Sequence, residues 1–93
     1  MIKSFGDKQT ERLWTSLEPG KLPTEIQQRA LNKLAMLDQS KDLNDLRIPP
    51  SNRLEALKGN RKGQFSIRIN QQWRICFRWE NGDAHEVTIE DYH

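Results

Sequence analysis

A chain of 93 residues has room for one hydrophobic core, so a single domain over residues 1–93 is expected, with its site on the surface of that domain. With 34% hydrophobic and 30% charged residues and a mean hydropathy of -0.91, the core is thin and a deep pocket is harder to build than a binding face. The single cysteine, Cys76, excludes an internal disulfide, Met1 to Phe5 carries no apolar export region, and no run nears the roughly 20 apolar residues of a membrane span; a cytoplasmic protein without membrane contact is expected.

Ile2 to Phe5 reads as a brief strand leading past Gly6 into a helix capped by Asp7. That helix runs to about Leu17, with Leu13, Trp14 and Leu17 inward, and Glu18-Pro19-Gly20 stops it. A second helix follows: Thr24 with Gln27 makes a capping-box pattern, and Ile26, Ala30, Leu34 and Leu37 keep helical spacing, leaving Gln28, Arg29 and Lys33 on the other face. From Asp38 to Asn52 no period is sustained, which predicts an ordered loop anchored by Leu43, Leu46 and Ile48. Leu54 to Leu57 reads as a short strand, and Gly59 and Gly63 bracket a basic turn.

The remaining chain alternates. Phe65, Ile67 and Ile69, then Trp73, Ile75, Phe77 and Trp79, then Val87 and Ile89 mark one apolar face of an antiparallel sheet, covered by the helices. A slip of one residue turns an apolar set to water, so both hairpin loops are expected to hold odd numbers of residues. A three-residue loop Asn70-Gln71-Gln72 places Ile67 opposite Ile75 and Arg68 opposite Arg74; a three-residue loop Glu80-Asn81-Gly82 places Val87 opposite Ile75 and Thr88 opposite Arg74. The fold class is α+β: two N-terminal helices on one face of a small, mainly antiparallel sheet.

The net charge of +2 conceals an asymmetry. Arg53, Lys58, Arg61, Lys62, Arg68, Arg74 and Arg78 stand against the single acid Glu55 within residues 53–78. Such a segment suits a polyanion such as RNA; equally, it suits a solvated surface neutralised by acids of the last strand. Opposed Arg68 and Arg74 cost a few tenths to about 1 kcal/mol unless carboxylates or an anionic ligand offset them.

Asp91, Tyr92 and His93 place a carboxylate, a phenol and an imidazole together, and imidazole is the side chain best suited to proton transfer near neutrality. The chain has no Ser-His-Asp spacing, metal-ligand cluster or glycine-rich phosphate loop, so no cofactor is expected. Metal-free RNA cleavage needs a base for the 2'-hydroxyl, cations for the charged phosphorane and an acid for the departing 5'-oxygen. Arg68, Arg74, Lys58 and Arg61 supply the charge; Glu55, Asp91, Tyr92 and His93 supply groups that move protons.

The element order resembles the RelE/ParE toxin fold, and Met1 to Phe5, Leu57-Lys58-Gly59-Asn60-Arg61, Ser66-Ile67-Arg68, Trp73-Arg74-Ile75 and Glu90-Asp91-Tyr92-His93 resemble HigB-type toxins in particular. The resemblance implies a ribosome-dependent endoribonuclease that leaves a 2',3'-cyclic or 3'-phosphate end. It implies catalytic Asp91, Tyr92 and His93 with Lys58 and Arg74 in the basic surround. It also implies a HigA-like helix-turn-helix antitoxin as partner, with operator DNA reached only through that complex. The chain departs from well-known members in having Glu55-Ala56 where they have His-Pro; a carboxylate accepts a proton but has no cationic form. Taken together, the catalytic candidates are Glu55, Asp91, Tyr92 and His93 and the RNA-binding candidates Arg53, Lys58, Arg61, Arg68, Arg74 and Arg78. Two other classes stay open: a non-enzymatic basic module that impairs ribosome function or assembly, and a gyrase-poisoning toxin of the ParE type.

Overall fold

The computed structural model describes residues 1–91. Helix α1 (Lys8–Ser16) starts where Asp7, in extended conformation, accepts the Thr10 amide at 2.7 Å, the cap expected of its sequence. Helix α2 (Thr24–Gln39) buries Ile26, Ala30, Leu34 and Leu37, the stripe its spacing predicts. Burying each such leucine stabilises the fold by about 1.5–3 kcal/mol. Strands β1 (Glu55–Ala56), β2 (Gln64–Arg68), β3 (Trp73–Glu80) and β4 (Asp83–Asp91) form an antiparallel sheet in the order β1-β2-β3-β4. The helix residues share one core with Ile67, Ile75, Phe77, Val87 and Ile89, so both helices cover the same face. The other face is open.

The brief first strand is present as a segment running parallel to β4: Ile2 lies beside Ala84 and Phe5 beside Val87. Its backbone bonds include Lys3 N to Ala84 O at 2.8 Å and Gly6 N to Val87 O at 2.9 Å. No helix among the described residues is long and apolar enough to cross a membrane.

Four expectations need correction. Leu17 is not inward: it is 68% exposed and takes a left-handed conformation at φ 56, its amide bonding back to Leu13 O to end α1. The capping box at Thr24 does not form; Pro23 holds the cap position, and Gln27 donates instead to Leu22 O at 3.0 Å. The stretch after α2 contains two 3-10 turns, Leu43–Arg47 and Pro50–Asn52, in which Leu46 is fully buried but Ile48 is 74% exposed. Leu43 packs against the core as expected, and a polar anchor joins it: fully buried Asn52 donates to Leu46 O at 3.1 Å.

The fourth concerns register. The β2–β3 hairpin pairs Ile67 with Ile75 and Arg68 with Arg74, as expected. The β3–β4 hairpin turns on only two residues, Asn81 and Gly82, both at positive φ, with Glu80 opposite Asp83. An even loop would turn Val87 and Ile89 to water, but a β-bulge between Cys76 and Arg78 restores the alternation. Glu86, at φ 53, is the extra residue; beyond it Ile89 rather than Val87 faces Ile75, and Glu90 rather than Thr88 faces Arg74. The spacing of buried Ala84 and Val87, three apart, is incompatible with unbroken alternation and was the available signal.

Candidate active site

The open face of the sheet carries the alternate residues: Glu55, Ser66, Cys76 and Thr88 in one row, and Arg68, Arg74 and Glu90 in the next. The Ser66, Arg74 and Cys76 side chains are buried although no helix covers this face. One cover is Arg61, in the 3-10 turn Gly59–Arg61, which donates from Nη1 and Nη2 to the two carboxylate oxygens of Glu90, each at 2.7 Å. Gln64 Oε1 accepts from Arg61 Nε and Nη2, and Thr88 Oγ1 donates to Glu90 at 2.7 Å. Hydrogen bonds from Arg61 hold the Glu90 carboxyl below its ordinary value, and the same contact moves the Arg61 guanidinium upward. Burial, helped by Glu90, pushes the Cys76 thiol up to about 11.

The arginines of this face find protein partners of two kinds. Acids of the last strand do pair with arginines: Glu90 with Arg61, and Glu86 with Arg78 at 2.6 Å. Arg74 is held differently. Its Nε donates to Ser66 Oγ at 2.8 Å and its Nη2 to the Arg53 carbonyl at 2.7 Å, with Glu55 at 3.9 Å. That geometry ties the backbone of Arg53, which stands at φ 46, to β3. Arg68, opposite Arg74, pairs with no carboxylate among the described residues.

Asp91 lies opposite Trp73 at the end of the sheet that also carries Arg68, Arg74 and the β2–β3 turn, and accepts from Gln72 Nε2 at 3.0 Å. Tyr92 and His93 lie outside the described residues. Glu55 is exposed on β1, the opposite edge from Asp91. Three strand spacings put roughly 14 Å between the backbones of those edges, and the Glu55 carboxylate reaches inward to 3.9 Å from Arg74 Nη2 on β3. Lys58 is exposed beside the Gly59–Arg61 turn.

Two cations were missed by sequence reasoning, which left Arg29 and Lys33 on the solvent side of α2. Both line a cleft of about 360 Å³ with Ser51, Arg53, Arg68, Ile69, Asn70 and Gln71. Their i, i+4 spacing on a helix, like charge above like charge, was the available signal.

The geometry thus offers a cation-bearing face that also carries Glu90, with Asp91 next in the chain at the end of β4. Residues 3–93 match the family described as RelE-like toxin of type II toxin-antitoxin system HigB. The chain is 42% identical to Toxin HigB-1 of Vibrio cholerae serotype O1, over 99% of this chain and 98% of that one. It is 34% identical to Endoribonuclease HigB of Proteus vulgaris over the full length of both. The fold is also similar to that in the YoeB-YefM complex from Staphylococcus aureus, with a TM-score of 0.62 and 17% identity, covering 100% of this chain and 98% of the other. A match over nearly all of the sequence, on an α+β frame with the same layers, means that this chain belongs to the HigB-like family of RelE-like toxins of type II toxin-antitoxin systems.

Proposed function

We propose that the chain is an endoribonuclease that cuts messenger RNA during translation on the ribosome, in the cytoplasm, by attack of a 2'-hydroxyl on the adjacent phosphorus. The observation that carries the reading is the pairing of Arg68 with Arg74 at the sheet end that also bears Asp91. The name of the Proteus vulgaris relative supports it. A strand laid across the open face meets Arg68, Arg53 and Lys58 as phosphate contacts, because guanidinium and ammonium groups offset the charge of a phosphorane. Buried Arg74 acts from beneath by holding Arg53 in place, while Arg61 and Arg78 lie over the sheet on Glu90 and Glu86.

Proton transfer is assigned to Asp91, Tyr92 and His93. One of these takes the 2'-hydroxyl proton, the 2'-oxygen bonds to phosphorus, the bond to the 5'-oxygen breaks, and that oxygen leaves with a proton from a second. A 2',3'-cyclic phosphate and a 5'-hydroxyl result. Glu55, at the far edge and beside Arg74, positions that arginine. A HigA-like helix-turn-helix antitoxin would silence the toxin, and operator DNA would be reached only through that complex.

Primer extension on a message translated in a cell-free system tests the assignment. Wild-type protein is expected to leave cuts in codon register, and His93→Ala or Tyr92→Ala to reduce them by about 10²–10⁴-fold, the usual contribution of a general acid or base. Cuts undiminished in both variants would sink it.

The separation of Glu55 from Asp91 favours a second reading, a non-enzymatic module that binds through its basic face and impairs ribosome function or assembly. On that reading Arg68→Glu abolishes growth arrest, His93→Ala does not, and translated messages stay intact. Inhibition of DNA supercoiling by purified toxin would instead place it with the gyrase-directed toxins.

A further inference from the structure

The cleft behind the sheet end adds two cations, Arg29 and Lys33, that the cleavage chemistry does not use. It lies between the middle of α2, the Pro50–Asn52 turn and the β2–β3 hairpin. Arg29, Lys33, Arg53 and Arg68 converge on it, and among the described residues no carboxylate lines it and Ile69 is its one apolar wall. None of the four cations is ion-paired among the described residues.

The site is built rather than incidental. Lys33 Nζ donates to Oδ1 of Asn52, whose amide nitrogen in turn donates to Leu46 O, so the ammonium is fixed to a fully buried side chain. Arg53 is held through its carbonyl by buried Arg74. Asn70 shapes the hairpin wall by accepting the Gln72 and Trp73 amides at 2.8 and 2.7 Å. Burial and then the nearby Arg29 move Lys33 downward, as happens where like charges gather without a counterion.

We propose that this cleft is a phosphate subsite for the RNA strand, receiving a backbone phosphate of the segment adjoining the one on the open face. The inference rests on the RNA-cleaving reading above. Guanidinium forks match the paired oxygens of a phosphodiester. Arg68 belongs both to the open face and to the cleft wall, so one strand can pass from the first to the second without leaving positive surface. An acidic peptide would find few of the apolar anchors that carry protein docking.

The test is fluorescence anisotropy of a fully 2'-O-methylated RNA oligonucleotide, which cannot be cut, titrated at several salt concentrations. Arg29 is exposed, so Arg29→Glu is expected to keep the wild-type melting temperature. It should weaken binding at least five-fold at low salt and reduce the slope of log K against log salt by about 0.7, the loss of one single-strand phosphate contact. Arg29→Lys should restore the slope. Wild-type affinity and slope in Arg29→Glu would overturn the subsite, whether or not antitoxin binding changes, and so would absence of oligonucleotide binding by the wild-type protein. Cleavage of translated messages separates the two readings. A toxin that cuts while Arg29→Glu binds normally loses only the subsite; one that shows the Arg29-dependent slope but never cuts loses only the nuclease.

Discussion

Cys76 sits beneath the Arg61–Glu90 pair, and the three groups set one another's charge. With its thiol pushed up to about 11 and its side chain buried, Cys76 is expected to react with iodoacetamide at pH 8 many times more slowly in the folded protein than in urea. Equal labelling rates would show that the arginine does not cover it. Glu90→Gln should lower stability by up to about 1 kcal/mol, because the pair is only partly shielded from water. The glutamate is depressed on folding, so its contribution is present above its ordinary value of 4.5 and is lost as pH falls through the folded-state titration. Melting curves of wild type and Glu90→Gln should therefore differ at neutral pH and converge in acid. The charges themselves were legible in the sequence. Their partners were not, because Glu90 meets Arg61 only after a bulge shifts β4 and a 3-10 turn brings residue 61 over the sheet.

At the scale of elements, the two helices and the β2–β3 register followed from apolar spacing alone. The β3–β4 register did not, because alternation counts residues and cannot place the extra one. Glu86 bears that cost at φ 53. A β-branched side chain is strained there, so Glu86→Val is expected to destabilise by about 1–2 kcal/mol, whereas Glu86→Gly should be neutral or stabilising despite losing the exposed contact with Arg78. Urea denaturation midpoints check both; a more stable valine variant would refute the strain. The stretch after α2 supplies a second contrast. Composition alone made Leu46 and Ile48 equal anchors, yet only Leu46 is buried. Leu46→Ala should cost about 2–5 kcal/mol, and Ile48→Ala should fall within about 0.5 kcal/mol of wild type.

Across the whole molecule, the α+β class and the basic face were legible because both depend on pattern: a helical period, then alternation, with cations on the polar phase. The cleft at Arg29 and Lys33 was not, since it exists only where a helix, a turn and a hairpin from distant parts of the chain meet. The first segment gives the molecule one more property. Along the outer margin of β4, Ala84 N bonds Met1 O, Glu86 N bonds Ser4 Oγ, Val87 N bonds Ser4 O and Ile89 N bonds Thr10 Oγ1. Those amides offer no template to another chain, so edge-to-edge aggregation is blocked on that side. Among the described residues the opposite margin is the freer one, and there β1 presents just Glu55 and Ala56. A protein that restrained this toxin by extending its sheet would lie against the basic face at its Glu55 border.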